Sequence, residues 1–438
     1  MKVDLAYGTG LLTVELPPNV EPTIIRKPAF PALGEPAEII AGALAKPVGS
    51  GSLEELAVGR KSACILICDF TRPVPNSTFL QPMIRRLMAA GIAADQITVL
   101  IATGLHRPNE GEELAKLVGD PWVLETVSVV NHFATRDEDH VDLGATATRG
   151  TPVKIDKRFM QADLKIATGL VEPHFMAGYS GGRKVVAPGV AGHETIRTFH
   201  SARFMEDSHA VQCNLDQNPL HEEQLEIVRM IGDIYALNTV LDEHRNLVYA
   251  TFGEIIASHL VAVDYTREYT EIPVGRQFKT VVTSSAGYPL DETYYQTVKG
   301  MVTPLDILAP GGTLIVASRC AEGIGSPHFR QSQERLVALG PDAFLESLLV
   351  KKLADIDEWQ TEMQLKPMRL GSIKLYADGL SDADHKVTGV DRAESVEEAI
   401  AQSVAEHQDN AVAIIPEGPY VVPFARSANQ DPPERLAA

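Results

Sequence analysis

Residues Gly169 to Lys184 read GLVEPHFMAGYSGGRK and concentrate side chains that can do chemistry. A carboxylate (Glu172) and an imidazole (His174) are followed by a Gly-Tyr-Ser-Gly-Gly loop and two cations, Arg183 and Lys184. The apolar run Leu164 to Ala167 leads into them as a buried strand leads into the loop at its carboxyl end. Open α/β sheets bind ligands at that edge. Glycines also let backbone N–H groups approach an anion closely. The Ser180-Gly181-Gly182-Arg183-Lys184 run lacks the G-x-x-x-x-G-K-[ST] spacing, so it is not that phosphate loop. Lys184 behind it reads either as a phosphate counter-charge or as a covalent tether.

A second corner echoes the first. Ile101-Ala-Thr-Gly-Leu-His-Arg-Pro108 resembles Ile166-Ala-Thr-Gly-Leu-Val-Glu-Pro173, and each leads to a histidine, His106 or His174. Two such corners can set two imidazoles around one pocket, although a βα-repeating chain also produces similar octamers by chance. Further strand ends carry Asp69-Phe-Thr-Arg72 and Asn131-His132 with Arg136-Asp137. In a parallel sheet these ends share one edge. Charges in such loops commonly just cap helices, but four corners together favour function for Asp69, Arg72, His106 and His174. His132 reads as structural.

Two acid/base groups, one per face, are the minimal kit for inverting a carbon. The C–H of a 2-hydroxy acid is weakly acidic, so a carbanion is a poor route. Removing hydride while a base takes the hydroxyl proton avoids it, and requires an acceptor that stays bound to return the same hydride.

The elements that must position these groups follow from patterning. Ala63–Cys68, Ile97–Ala102, Val127–Val130 and Leu164–Ala167 are short Ile- and Val-rich runs that suit buried parallel strands. Helical patterns alternate with them: Ser77 to Ala90 after Asn76, and Glu110 to Val118 before Gly119. This alternation predicts α/β architecture with mainly parallel sheets. His193 to Met205 reads as one helix, with His200 two turns beyond His193. His200 is either a partly buried helix histidine or a metal ligand whose partners come from a cofactor. Glu271 to Arg276 reads as a linker, giving domains at 1–272 and 273–438. The tail after Pro423 reads as loose, and whether it returns to the first domain is open. In the second domain Asp291 reads as the N-cap of a helix ending at Gly300, on which Gln296 and Lys299 share a face. Lys299 either complements the helix dipole or, with Gln296, offers a cation and a donor to a carboxylate.

Bulk composition narrows the partners. With 39 Lys+Arg against 58 Asp+Glu the formal charge is −19, which argues against nucleic acid or a membrane surface. A small anion is still admitted where a few cations are focused, because screening acts over roughly 8–10 Å. No signal-peptide pattern opens the chain, and no apolar run approaches the roughly 18–20 residues of a membrane span. The cysteines Cys64, Cys68, Cys213 and Cys320 form no C-x-x-C pair, and those at 64 and 68 read as buried thiols. The expected setting is cytoplasmic.

Asp69-Phe-Thr-Arg-Pro73, Ala102-Thr-Gly-Leu-His-Arg107, Gly169 to Gly189 and Tyr295-Gln-Thr-Val-Lys-Gly300 together resemble the nickel-pincer lactate racemase family, over nearly the whole chain. The resemblance implies two α/β domains with the active site in the inter-domain cleft. It implies nickel pyridinium-3,5-bisthiocarboxylic acid mononucleotide as cofactor, tethered through Lys184, its nickel bound by His200 and its phosphate held by Ser180, Gly181 and Gly182. Soft sulfur and carbon donors suit nickel better than zinc. His106 and His174 match the family's acid/base pair in a reversible hydride transfer. By the same resemblance Asp69 orients an imidazole and favours its charged form, Arg72, Gln296 and Lys299 grip the substrate's carboxylate and carbonyl, and Trp359 falls where a pocket tryptophan lies. Partners would be a small anionic hydroxy acid and the cofactor-biosynthesis enzymes. The function expected is racemisation of a short 2-hydroxy acid. The alternatives are an epimerase of a larger hydroxy acid such as a sugar acid, and a non-catalytic nickel-cofactor-binding protein. An NAD dehydrogenase is disfavoured because no convincing G-x-G-x-x-G occurs.

Overall fold

The computed structural model describes residues 1–31 and 34–426. They form two compact units. The first comprises residues 29–31, 34–199 and 207–268, the second 1–28, 200–206 and 269–426.

The first unit is built on a six-stranded sheet in the spatial order Leu247–Glu254, Tyr235–Leu241, Leu164–Leu170, Ala63–Cys68, Ile97–Ala102, Ser128–Asn131. All neighbours are parallel except the first pair, a hairpin. Ile65, Leu66, Ile67, Val99, Leu100 and Ile101 are fully buried, as strands covered on both faces require. The helix Asn76–Ala89 shows why it docks here: Phe79, Leu80, Met83, Ile84 and Leu87 recur at three- and four-residue steps and are all fully buried. Each such side chain contributes about 1.5–3 kcal/mol. The helix Gly111–Val118 ends at Gly119 in the left-handed region (φ 69°). From Ala63–Cys68 the chain winds outward to Ile97–Ala102 and Ser128–Asn131. It then returns to the other side of Ala63–Cys68 as Leu164–Leu170. That reversal is the switch point at which open α/β sheets bind ligands.

The second unit has its own six-stranded sheet, in the order Asp391–Arg392, Gly371–Tyr376, Leu308–Ala317, Phe278–Ser284, Ala411–Ile415, Glu21–Ile24, all neighbours parallel. The N-terminal residues therefore pack with this unit, whereas the sequence pattern grouped 1–272 together. Glu21–Ile24 extends the sheet beside Ala411–Ile415. The hairpin Lys2–Tyr7/Gly10–Glu15 buries Val3, Leu5 and Val14 in a cluster with Val282, Ile315, Val396 and Ile400.

Three local expectations change. The stretch Glu271–Pro273, expected as a linker, is a strand paired with Val422–Phe424, so the chain up to 426 stays in this unit; residues 427–438 lie outside the described residues. Asp291 caps no helix. Thr293 caps Tyr294–Val302, while the buried Asp291 carboxylate accepts from the backbone N–H of Gly8 (2.6 Å) and Arg319 (3.2 Å). The single helix expected over His193 to Met205 is two, His193–Phe199 and Ala202–Met205, broken at His200 and Ser201. Among the described residues no helix is long and apolar enough to cross a membrane.

Candidate active site

Three adjacent strands of the first unit end in the expected groups, in the spatial order His174, Asp69, His106. With strands about 4.8 Å apart, the two outer corners are roughly 10 Å from each other. At the middle and right-hand corners Asp69 and His106 meet directly: His106 Nδ1 lies 2.6 Å from Asp69 Oδ2. Asp69 is buried, whereas the imidazole is 51% exposed. The other carboxylate oxygen accepts from the Thr71 hydroxyl at 2.6 Å. Arg72 Nη1 donates to the Thr71 carbonyl at 3.1 Å and its hydroxyl at 3.4 Å. Burial pushes the Asp69 carboxyl up. The His106 hydrogen bond and charge, the Thr71 hydroxyl and the Arg72 charge together outweigh it, leaving the group below its ordinary value. An ionised Asp69 accepts the Nδ1–H of His106, so Nε2 is the nitrogen His106 offers to a substrate.

His174 is supported differently. Pro173–His174 pairs antiparallel with Gly178–Tyr179 in a tight hairpin. Its Nδ1 accepts from the backbone N–H of Ala177 (3.2 Å) and Met176 (3.4 Å). The ring stacks on Phe175 with centroids 5.0 Å apart. At this corner two backbone amides donate to Nδ1.

The glycine loop that follows is held from beneath. Ser180 donates its hydroxyl to the Leu170 carbonyl (2.6 Å) and accepts from Glu172 N–H (3.0 Å). Ser180 N–H donates to Glu172 O, and Gly182 N–H to Asn238 Oδ1 at 3.0 Å. These donors serve the loop itself, so the expectation that Ser180 and Gly182 cradle an anion through their N–H groups does not match this arrangement. Gly181 (φ 77°) and Gly182 (φ 47°) are required by packing: a Cβ on Gly182 would meet the His259 ring at 2.8 Å. The consecutive cations then part company. Arg183 is fully buried, while Lys184 on the same short helix, Arg183–Val186, is half-buried. That helix packs on Ala63–Cys68 and Leu164–Leu170, across the switch point.

The remaining candidates belong to the second unit. His200, at the break between the two short helices, is buried and lies 4.9 Å, centroid to centroid, from the Trp359 ring. Gln296 and Lys299 lie one turn apart on Tyr294–Val302. Gln296 Oε1 is buried without a hydrogen-bond partner, an unmet polar end that an amide can use as acceptor or, turned over, as donor. Gly300 lets this helix approach the strand end: a Cβ there would meet the Ser284 carbonyl at 2.9 Å.

His132 is taken up by structure. Its Nδ1 lies 3.1 Å from Asp156 and its Nε2 3.0 Å from the Ala191 carbonyl, with both His132 and Asp156 side chains fully buried. Sequence reasoning missed Thr71, Asn218, Asn238 and His259 as supports. Asn218, which caps the helix Pro219–Ile231, also donates to the Met176 carbonyl at 3.0 Å beneath the histidine loop, a task that left no mark in the spacing.

The Lactate racemase N-terminal domain family matches residues 7–212, and the Lactate racemase C-terminal domain family matches residues 275–422. The chain belongs to the lactate racemase family. Family membership makes it an isomerase of the racemase type. It is 32% identical over 390 residues to the lactate racemase of Lactiplantibacillus plantarum (strain ATCC BAA-793 / NCIMB 8826 / WCFS1), covering 88% of this chain and 90% of that one. It is 29% identical over 430 residues to the lactate racemase of Thermoanaerobacterium thermosaccharolyticum, covering 96% and 98%. The lactate racemase apoprotein structure from Thermoanaerobacterium thermosaccharolyticum superposes with a TM-score of 0.90 at 27% identity, over 97% of this chain and all of that one. A Thermotoga maritima protein shares the fold at a TM-score of 0.66 and 17% identity, over 90% and 99% of the two chains.

Proposed function

We propose that this chain racemises a short 2-hydroxy acid, lactate or a close analogue. The observation that carries the reading is the Asp69–His106 pair at 2.6 Å, beside a strand whose loop presents the second histidine. His106, its Nδ1 turned to Asp69, takes the substrate hydroxyl proton on Nε2 as the alcohol carbon becomes a planar 2-keto acid. His174 serves the hydroxyl when it lies on the opposite side. Arg72, Gln296 and Lys299 bind the carboxylate and the developing carbonyl oxygen through charge-assisted and amide hydrogen bonds.

The cofactor is proposed to be the nickel-pincer nucleotide, held by Lys184 and His200. It would supply, when bound, an acceptor that takes the C2 hydrogen with its electron pair and returns it to either face. The donor set fits. Among the described residues no group of three or more His, Cys, Asp or Glu is arranged to hold a metal, so a metal at His200 would draw its other donors from the cofactor. Lys184 is half-buried where its neighbour Arg183 is fully buried. Ser180, Gly181 and Gly182 shape the loop in front of that lysine. Cofactor-making enzymes are the implied partners, and the cytoplasm, with none of the four cysteines in a disulfide, the implied compartment.

The test is a substrate panel on protein produced together with the cofactor-making enzymes. Chiral analysis should show lactate or a similarly small hydroxy acid equilibrating from either enantiomer, and Lys184→Ala should abolish it. Turnover confined to sugar acids would move the assignment to an epimerase. Cofactor loading with no loss of optical purity for any substrate would leave a binding protein.

A further inference from the structure

Three basic side chains lie together in the interior of the first unit, each at most 3% exposed. They are Arg183 on the short helix Arg183–Val186, His221 on Pro219–Ile231, and His259 on Ile255–Thr270. Arg183 Nη1 and His259 Nε2 touch at 2.9 Å. Pro219–Ile231 packs on Arg183–Val186, and the Arg183 charge acts on His221. Gln224 follows one turn after His221 on the same helix face and is fully buried.

This cluster is short of acceptors and of negative charge. Arg183 Nη2 donates to Ala177 O at 2.8 Å and Nη1 meets His259, but Nε has no partner. His259 Nε2 is also 2.8 Å from Ser180 O, and one ring nitrogen cannot accept from the guanidinium and donate to that carbonyl at once. His221 Nδ1 and both ends of the Gln224 amide have no partner either. Burial alone acts on Arg183 and lowers its pKa to about 9, so it stays charged at neutral pH with no carboxylate to answer it. Burial, then the Arg183 charge, pushes His259 well below the ordinary imidazole value. Burial, then the charges of Arg183 and His259, does the same to His221. Both imidazoles are therefore neutral, and the cluster holds a single positive charge. A charge removed from water is costly unless it is paired.

We infer that Arg183, His221 and Gln224 form a buried site for one small monovalent anion of the chloride class. Arg183 Nε–H, the Gln224 amide N–H and His221 as its Nδ1–H tautomer are the donors. One negative charge balances the one guanidinium. Burial this deep admits a halide-sized ion and shuts out a hydroxy acid or a nucleotide phosphate. Ordered water would satisfy the donors but leave the charge unanswered. The anion ties the helix that starts at Arg183 to Pro219–Ile231. Its binding is independent of the function proposed above, since the site lies inside the first unit and needs neither substrate nor cofactor.

The experiment uses the full-length protein and two halides. Thermal unfolding is followed at constant ionic strength while chloride replaces methanesulfonate. The wild-type melting temperature should rise with chloride concentration, as it does for a ligand that binds only the folded state. Arg183→Met removes the charge and the Nε donor, and its melting temperature should lose the chloride dependence. Crystals grown with bromide in place of chloride should show an anomalous-scattering peak in contact with Arg183 Nε and the Gln224 amide. That measurement needs only wild type, and it decides the matter if Arg183→Met does not fold. A wild-type melting temperature indifferent to chloride, a folded Arg183→Met that keeps the dependence, or an anomalous map with no peak beside Arg183 would each overturn the inference and leave ordered water as what meets these groups.

Discussion

The two histidine corners begin with the same five letters, Ile-Ala-Thr-Gly-Leu, and build different structures. At the first corner the strand ends at Ala102, and Thr103-Gly104 already turns, with Gly104 at φ 55°. At the second, the shared letters remain strand through Leu170, and Gly169 keeps ordinary strand geometry. The histidines nonetheless fall at matching places, 106 − 102 = 4 and 174 − 170 = 4 residues beyond the last strand residue. Aligning the letters sets Val171 opposite His106, whereas aligning the strand ends sets His174 there. Position relative to the sheet edge is what the two corners share. The supporting partner, a carboxylate in one and backbone amides in the other, is what separates them.

The largest expected effect breaks one corner outright. His106→Ala should lower racemisation by roughly 10²–10⁴-fold, the range of a lost acid/base group. His174→Ala should fall in the same range, and steady-state rates measured from both enantiomers check the pair. If either variant kept wild-type turnover in both directions, that corner would have no part in the chemistry.

Asp69→Asn sharpens the contrast by removing the carboxylate that meets the imidazole at the first corner. Turnover should fall by about 10–100-fold, as when an orienting partner is removed. The pH dependence of stability should change too. The Asp69 pKa is lowered in the fold, so its contribution is complete above the ordinary value of about 3.9 and is lost as pH falls through the lower folded value. Acid unfolding curves should therefore show a shallower loss below about pH 4 in Asp69→Asn than in wild type.

The paired glycines give a smaller, graded test. Gly169→Ala would drive a Cβ to 2.7 Å from Val185 Cγ2 and should destabilise by about 1–3 kcal/mol. At Gly104 the nearest atom to a Cβ is Pro188 O at 3.6 Å, so Gly104→Ala meets mainly the left-handed backbone, about 1–2 kcal/mol. Denaturant melts should rank Gly169→Ala below Gly104→Ala in stability, and they should place Ser180→Ala at about 2 kcal/mol, for the two hydrogen bonds lost, to Leu170 O and from Glu172 N–H, at about 1 kcal/mol each.

Much of the first unit is legible in its amino-acid sequence. Ile- and Val-rich runs mark its strands, and the polar residues after them mark its ligand edge. That Asp69 and His106 stand at one edge follows from the strand pattern, whereas their contact is implied only by the family resemblance, and the order of the strands comes only from the folded sheet. What stays hidden depends on long-range pairing. Residues 1–28 carry short apolar segments that fit either unit, and only the register of Glu21–Ile24 with Ala411–Ile415 assigns them. The break at His200 is invisible in the pattern because Phe199 and Ala202 keep the helical spacing across it. Arg183 reads as a companion to Lys184 in anion binding, because a sequence shows charge and not the direction in which a side chain points.

The hydrogen at C2 gives the most direct test. Protein loaded with cofactor would be given L-lactate carrying deuterium at C2, in ordinary water, and the D-lactate formed would be examined by mass spectrometry. Retention of the deuterium is predicted, since in the proposed scheme His106 and His174 would handle only the hydroxyl proton. D-lactate carrying water-derived hydrogen at C2 would mean that a side chain removes a proton from carbon, and would contradict the account.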